Sequence, residues 1–89
     1  MKIDEAIKEL TQKEKSLNFS RLKGICESLF GTPRVSGSHH IFATGLDDPP
    51  TVNIQSRKGK AKSYQIRQVR QALEKLCEGD DNAQTQDHI

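Results

Sequence analysis

The feature that most restricts the fold is a run of three short strand-type segments whose connections are too short to hold a helix. The first connection is the pair Gly37–Ser38, and the second is the turn-rich stretch GLDDPP at residues 45–50. Strands joined in this way must run antiparallel, because a parallel pair needs a crossover of about a dozen residues or more. The sequence therefore predicts a three-stranded antiparallel meander, with strands at residues 32–36, 39–44 and 51–55.

Amphipathic helices are predicted on both sides of this sheet, because apolar residues recur there at helical spacing. The first helix begins after the capping residue Asn18 and ends at Gly31. The second spans about Tyr64 to Glu78, with Ser63 as its cap and Gly79 as its end. The predicted buried stripes are Leu22, Ile25, Cys26, Leu29 and Phe30 in the first helix, and Ile66, Val69, Leu73, Leu76 and Cys77 in the second.

Two amphipathic helices and one sheet bury their apolar faces most economically when both helices lie on the same sheet face. The order α-β-β-β-α is that of the double-stranded-RNA-binding fold, which holds its ligand by shape, 2′-hydroxyls and phosphates. We therefore predict an α+β, double-stranded-RNA-binding-like domain with a three-stranded antiparallel sheet at residues 17–79. A thin apolar stripe predicts an extra, accessory N-terminal helix within residues 1–16, and residues 80–89 are predicted to be a disordered acidic tail.

Length and composition exclude several classes of protein. With 89 residues, 33% of them hydrophobic and no tryptophan, we expect one small domain with a thin aliphatic core and no deep pocket for a large cofactor. No apolar run is long enough for a membrane span, and the N-terminus lacks the apolar stretch of a secretory signal. Cys26 and Cys77 fall on the predicted buried stripes, so we expect buried thiols in a reducing cytoplasm, although a disulfide between them stays open.

Positive charge is concentrated in one late segment, although the net charge of the whole chain is only +2. Within this segment seven basic residues face a single acidic one, Glu74. A local excess of lysine and arginine indicates a polyanionic partner such as nucleic acid. The alternative, a solvated loop and helix face without a partner, stays equally open. The basic residues are Arg57, Lys58, Lys60, Lys62, Arg67, Arg70 and Lys75.

The residues that can carry chemistry are His39 and His40, directly after the Gly37–Ser38 turn. Successive strand residues point to opposite faces, so one imidazole should face outward, where it can exchange protons near neutral pH. The alternative is a hydrogen-bonded surface histidine without chemistry, which is the more frequent situation at a strand start. A metal site is not expected, because adjacent strand residues point apart and no Asp or Glu is placed to complete a ligand set.

The stretch GSHHIF at residues 37–42, the three strands and a last helix after a basic loop resemble the HicA family of bacterial toxins. These toxins are small mRNA interferases that pair with a HicB antitoxin, and the resemblance covers about residues 18–78. It implies that His39 is the catalytic histidine of a metal-independent endoribonuclease that uses no cofactor and is neutralised by a HicB-like antitoxin. Many members carry a second histidine in or after the third strand, where this chain reads VNIQSR at residues 52–57.

The implied reaction, cleavage of an mRNA phosphodiester, needs a base, an acid and cations that hold the phosphate. His39 is the candidate for acid or base, and Tyr64 can stack on a nucleobase or equally cover the end of the core. Ser38 can orient the imidazole or the phosphate or simply form the turn. His40 is expected to pack on the other face of the strand. The rival hypotheses are a non-catalytic RNA-binding module and a protein-interaction domain. The candidates for phosphate binding are Lys58, Lys60, Lys62 and Arg67.

Overall fold

The chain is a small α+β protein with three helices and one antiparallel sheet in the part that the computed structural model describes, which is the backbone of residues 1–88 and the side chains of residues 1–78. The predicted meander is confirmed, because the strand order is β1-β2-β3 and both pairings are antiparallel. Within the described residues, no helix has both the length and the apolar character needed to cross a membrane. The elements are α1 (Ile3–Gln12), α2 (Phe19–Phe30), β1 (Arg34–Ser36), β2 (His39–Ala43), β3 (Thr51–Gln55) and α3 (Ser63–His88).

The boundaries differ from the predicted ones at four places. β2 ends at Ala43 rather than at Thr44, and α3 begins at Ser63, the residue predicted to cap it. β1 begins at Arg34 rather than at Thr32, because Pro33 has no N–H with which to extend the ladder. α3 extends to His88, so the predicted end at Gly79 is wrong. A single glycine lowers helix stability by only about 1 kcal/mol relative to alanine and does not by itself end a helix. The disorder predicted for residues 80–89 concerns residues whose side chains lie outside the described part of the structure.

The turn between β1 and β2 is the two-residue connection that the sequence predicts. Gly37 has φ 61° and Ser38 does not have a positive φ, as in a type II′ turn with glycine at its first central position. Turns of this type match the twist of the strands they join, and Ser36 pairs directly with His39 across the turn. The register of β2 is therefore fixed at its first residue, and with it the face on which each side chain lies.

Both α2 and α3 cover the same face of the sheet. The strand side chains on this face, Phe42, Val52 and Ile54, are buried in one apolar cluster with residues of both helices. Alternation then places His39 and Asn53 on the opposite face, where both are exposed. The sheet thus has one packed face and one open face, and the open face carries the candidate chemistry.

The N-terminal helix α1 shares this apolar core, because it packs against α3 with Ala6 and Leu10 fully buried. Ile3 and Ile7, which share the apolar stripe of α1 with Leu10, are only partly buried. Ala6 and Leu10 are therefore the α1 side chains that the contact buries completely.

Two ion pairs attach α1 and the loop after it to the other helices. Arg21 of α2 donates two hydrogen bonds to the carboxylate of Glu9, with N···O distances of 2.6 and 2.7 Å. This bidentate contact, and the charge of Arg21, lower the pKa of Glu9 below its ordinary value. After α1, the carboxylate of Glu14 accepts a hydrogen bond from Arg70 of α3 at 3.0 Å. Charged side chains thus fix the rim of an interface whose centre is apolar.

The two cysteines are not joined by a disulfide. Cys26 is fully buried in α2, as its place on the predicted stripe indicated, and Cys77 is only partly buried. Burial raises the pKa of the Cys26 thiol to about 12. This thiol therefore stays protonated at neutral pH and acts as a small apolar side chain.

Candidate active site

His39 occupies the first position of β2, directly after the Gly37–Ser38 turn, and its side chain is exposed on the open face of the sheet. Its Nδ1 atom lies 3.1 Å from Oδ1 of Asn53 on β3. An amide oxygen can only accept a hydrogen bond, so this contact requires Nδ1 to carry the proton. The neutral imidazole then keeps its lone pair at Nε2, to which no described residue donates. The ring is held in the tautomer that can accept a proton at Nε2.

An open cavity of about 190 Å³ adjoins this imidazole. It forms where the start of α3 passes the edge of β3, so that helix and strand side chains meet around the histidine. Apart from the imidazole and one phenol, the lining side chains are uncharged carboxamides. The lining residues are His39, Asn53 and Gln55 from the sheet and Tyr64, Gln65 and Gln68 from α3.

A chain of hydrogen bonds joins the turn before His39 to the start of α3. The side-chain amide of Gln55 donates to the Ser38 hydroxyl oxygen at 2.9 Å, and the backbone N–H of Gln55 donates to Oε1 of Gln65 at 3.2 Å. Nε2 of the buried Gln65 donates in turn to the Tyr64 hydroxyl oxygen at 3.4 Å. Ser38 therefore contacts Gln55 rather than the imidazole, and its contribution is to hold the cavity wall.

None of the four predicted phosphate-binding cations lines the cavity beside His39. The ammonium of Lys62 lies 5.8 Å from the centroid of the Tyr64 ring, which places this cation beside the cavity that Tyr64 lines. Arg67 is exposed on α3 without lining the cavity, and no described residue forms an ion pair with it. Lys58 and Lys60 lie in the loop before α3 and do not line the cavity either.

The basic loop is instead fixed to the start of α2. Lys58 and Gly59 both have positive φ, 54° and 79°, and form a tight turn between Arg57 and Lys60. The Gly59 carbonyl accepts a hydrogen bond from the backbone N–H of Phe19 at 3.0 Å. Lys58 and Lys60 therefore lie in a turn held against α2 and do not form a wall of the His39 cavity.

His40 faces the helices, whereas alternation along β2 predicts only that the two histidines point to opposite faces. Its ring lies 5.2 Å, centroid to centroid, from the ring of Phe19 on α2. Its Nδ1 atom is buried and has no hydrogen-bond partner among the described residues. A buried nitrogen without a partner destabilises a fold, so this contact is one of packing and not of polar recognition.

Sequence reasoning missed four amide residues of the site, Asn53, Gln55, Gln65 and Gln68. Aligning β2 with β3 could have predicted Asn53 and Gln55. The alignment places Gln55 directly opposite His39, and Asn53, two residues earlier in β3, on the same face. For Gln65 and Gln68 no local signal exists, since their role depends on where α3 passes the sheet edge.

Comparison with known proteins leaves the site to be interpreted from its own geometry. No protein-family model, no curated protein and no solved structure matches the chain. Among the described residues, no three His, Cys, Asp or Glu side chains form a group that could hold a metal ion. The chemistry that the described residues offer is therefore proton transfer at one imidazole, surrounded by amides and flanked by a lysine and a tyrosine.

Proposed function

We propose that the chain is an mRNA interferase similar to the HicA toxins, the toxin of a type II toxin–antitoxin system, acting in the cytoplasm and neutralised by a HicB-like antitoxin. The observation that carries the proposal is the exposed His39 imidazole, fixed at Nδ1 by Asn53 and free at Nε2. The double-stranded-RNA-binding-like assignment of α2-β1-β2-β3-α3 belongs to the same proposal, because that fold holds RNA through its 2′-hydroxyls and phosphates.

The proposed reaction is metal-independent transesterification of RNA. Nε2 of His39 accepts the proton of a 2′-hydroxyl while the 2′-oxygen attacks the adjacent phosphorus. The bond from phosphorus to the 5′-oxygen breaks, and that oxygen takes its proton from water or from the Tyr64 hydroxyl, which lines the same cavity. The products are one strand ending in a 2′,3′-cyclic phosphate and one beginning with a 5′-hydroxyl.

The surrounding residues support this reaction through charge and stacking. Lys62 lies beside the cavity and offers an ammonium to the phosphate as negative charge develops on its oxygens. The exposed ring of Tyr64 offers a π-face on which a neighbouring base can stack. Lys58 and Lys60, in their separate turn, are placed to bind a more distant phosphate and so contribute to affinity rather than to the chemical step.

A second candidate function is an RNA-binding module without catalysis. The separation of Lys58 and Lys60 from the His39 cavity favours it, because cations distributed along a surface suit a long RNA backbone. On this hypothesis His39 is a contact residue and Tyr64 a stacking platform.

Incubation of purified protein with a long mRNA in EDTA distinguishes the two functions. For a nuclease, wild type produces fragments with 5′-hydroxyl ends, and His39→Ala lowers the rate by at least about 100-fold, the usual loss on removing a general base. Because His39 is exposed, the variant should change stability by less than about 0.5 kcal/mol. Gln12→Ala, an exposed change on α1, is the matched control and should cleave like wild type. Intact RNA with a shifted mobility would instead identify a binding module.

Growth inhibition provides an independent test in cells. Induced wild-type protein should arrest growth, and His39→Ala should not, at equal protein levels. Co-expression of a HicB-like protein encoded next to this chain should restore growth. Equal toxicity of the wild type and the His39→Ala variant would reject His39 as the catalyst.

A further inference from the structure

A second, larger cavity continues from the one beside His39. It has a volume of about 520 Å³ and lies between β3 and the middle of α3. Asn53 and Gln68 line both cavities, so a ligand bound at His39 can extend into the larger one without leaving the protein surface. A volume of this size falls within the range of small-ligand sites, about 300 to 1,000 Å³.

Three carboxamide side chains line the part of this cavity nearer to His39. Asn53, Gln68 and Gln71 are all exposed and line it, and the nearly buried Val52 adds an apolar surface between them. A carboxamide presents a donor and an acceptor side by side, which matches a nucleobase edge such as N6 and N7 of adenine. An apolar surface beside such amides suits the flat face of a base.

The free edge of β3 adds main-chain groups to the same cavity. The backbone N–H of Gln55 donates to the side chain of Gln65, so it points away from β2 and toward the free edge. Because backbone groups alternate in direction along a strand, those of Asn53 and Thr51 point to that edge as well. These unpaired groups offer further donors and acceptors next to the amides.

The distribution of charge decides which part of a nucleic acid can enter. Glu74, Glu78 and Lys75 line the end of the cavity away from His39, and the Lys75 ammonium donates to the Asp48 carbonyl at 3.0 Å. Two carboxylates thus outnumber one ammonium at this end, which disfavours a phosphate there. The Lys62 ammonium lies at the other end, beside Tyr64. This distribution of charge favours a phosphate at the end near Tyr64 and His39 and an uncharged group between β3 and α3.

We propose that the β3–α3 cavity binds one unpaired nucleobase of RNA next to the cleaved phosphodiester, and that Gln68 and Gln71 select a base with adjacent donor and acceptor atoms, as adenine has. That the bound base lies next to a cleaved bond rests on the proposed function. That the cavity binds a base does not require the protein to cleave RNA.

The test compares Gln71→Ala with Gln12→Ala, which removes an exposed glutamine side chain on α1, outside the cavity. Each full-length variant is given a randomised RNA pool, and the base frequencies next to the 5′-hydroxyl ends are sequenced. In parallel, each variant selects from a 2′-O-methyl RNA pool, which cannot be cleaved. Gln71→Ala should weaken the preference at one nucleotide position by at least about fivefold, the lower limit for loss of a bidentate base contact. Gln12→Ala should leave every position unchanged.

The two assays separate this inference from the proposed function. If Gln71→Ala and Gln68→Ala both keep the wild-type base preference, the inference is overturned even where cleavage depends on His39. If the wild type selects a base that Gln71→Ala no longer selects, yet cleaves no RNA, the cavity is confirmed and the nuclease proposal fails. If RNA selection is unaffected and Gln71→Ala weakens binding of a co-expressed antitoxin, the cavity takes a protein segment and the inference is likewise overturned.

Discussion

Replacing Asn53 by aspartate tests the contact that orients the imidazole of His39, the proposed general base. The substitution exchanges an amide for a carboxylate of nearly the same shape, 3.1 Å from Nδ1 of His39. The new carboxylate favours the protonated, positively charged ring. Because the base must be neutral to act, we expect the acidic limb of the pH–rate profile to move to higher pH.

The size of this shift follows from the exposure of the site. Opposite unit charges about 4 Å apart interact by about 1 kcal/mol in water. Because the His39 ring is exposed, the value for water applies to it. Since one pH unit corresponds to about 1.4 kcal/mol, the limb should move by about 0.7 unit, and the rate well below the limb should fall about fivefold. Salt screens exposed charges, so the shift should shrink as ionic strength rises.

The assay is kcat/KM on a fluorogenic RNA between pH 5 and pH 9 for wild type, Asn53→Asp and Asn53→Ala. The alanine variant loses the hydrogen bond without adding charge, so its rate should fall while the limb stays in place. If Asn53→Asp has wild-type stability and the acidic limb of its pH–rate profile does not move, the proposed contact between Asn53 and the His39 imidazole during catalysis is refuted. A limb that moves equally in both variants would refute the electrostatic reasoning.

Three further predictions concern packing, pH and the role of the phenol. His40→Phe removes the buried nitrogen that has no partner and keeps a ring against Phe19, so it should raise the free energy of unfolding by about 1 kcal/mol in urea titrations. Arg21→Ala should destabilise the protein at pH 7, because the contact with Arg21 lowers the pKa of Glu9 and so stabilises the folded chain at pH values above the ordinary pKa of a glutamate. The difference from wild type should disappear as the pH falls through the folded-state pKa of Glu9. Tyr64→Phe should keep RNA affinity if the ring stacks on a base, while Tyr64→Ala weakens it about fivefold or more; a lower kcat in Tyr64→Phe alone would identify the hydroxyl as the proton donor.

The elements of the fold that sequence reasoning predicted well are those set by local chemistry. β3 begins and ends where the alternation of Val52 and Ile54 places it, and α2 ends at Gly31, whose φ of 99° only glycine adopts readily. The register of the hairpin also followed from local chemistry, because Gly37 and Ser38 form its turn. In each case the deciding interaction lies within a few residues.

The parts that escaped prediction depend on contacts between distant segments. The place of Gln65 beneath the edge of β3 depends on the path of α3, and the burial of Ala6 depends on the approach of α1 to that helix. The position of Lys58 depends on a hydrogen bond between the backbones of Gly59 and Phe19. The pattern of side chains does not predict a bond between backbone groups. Periodicity finds the apolar faces, but it does not say which polar residues the packed elements bring together.

Phe19 links the turn that carries Lys58, outside the cavity, to the hairpin that carries His39. Its ring packs against His40, the strand neighbour of His39, and its backbone N–H binds the carbonyl of Gly59, the turn neighbour of Lys58. The hairpin that presents the imidazole and the turn that presents the lysine are therefore both fixed to the first residue of α2. Because that residue is buried, neither segment can move far without disrupting the core. An RNA that contacts both segments thus meets a rigid spacing between its phosphate contact and the proposed site of cleavage.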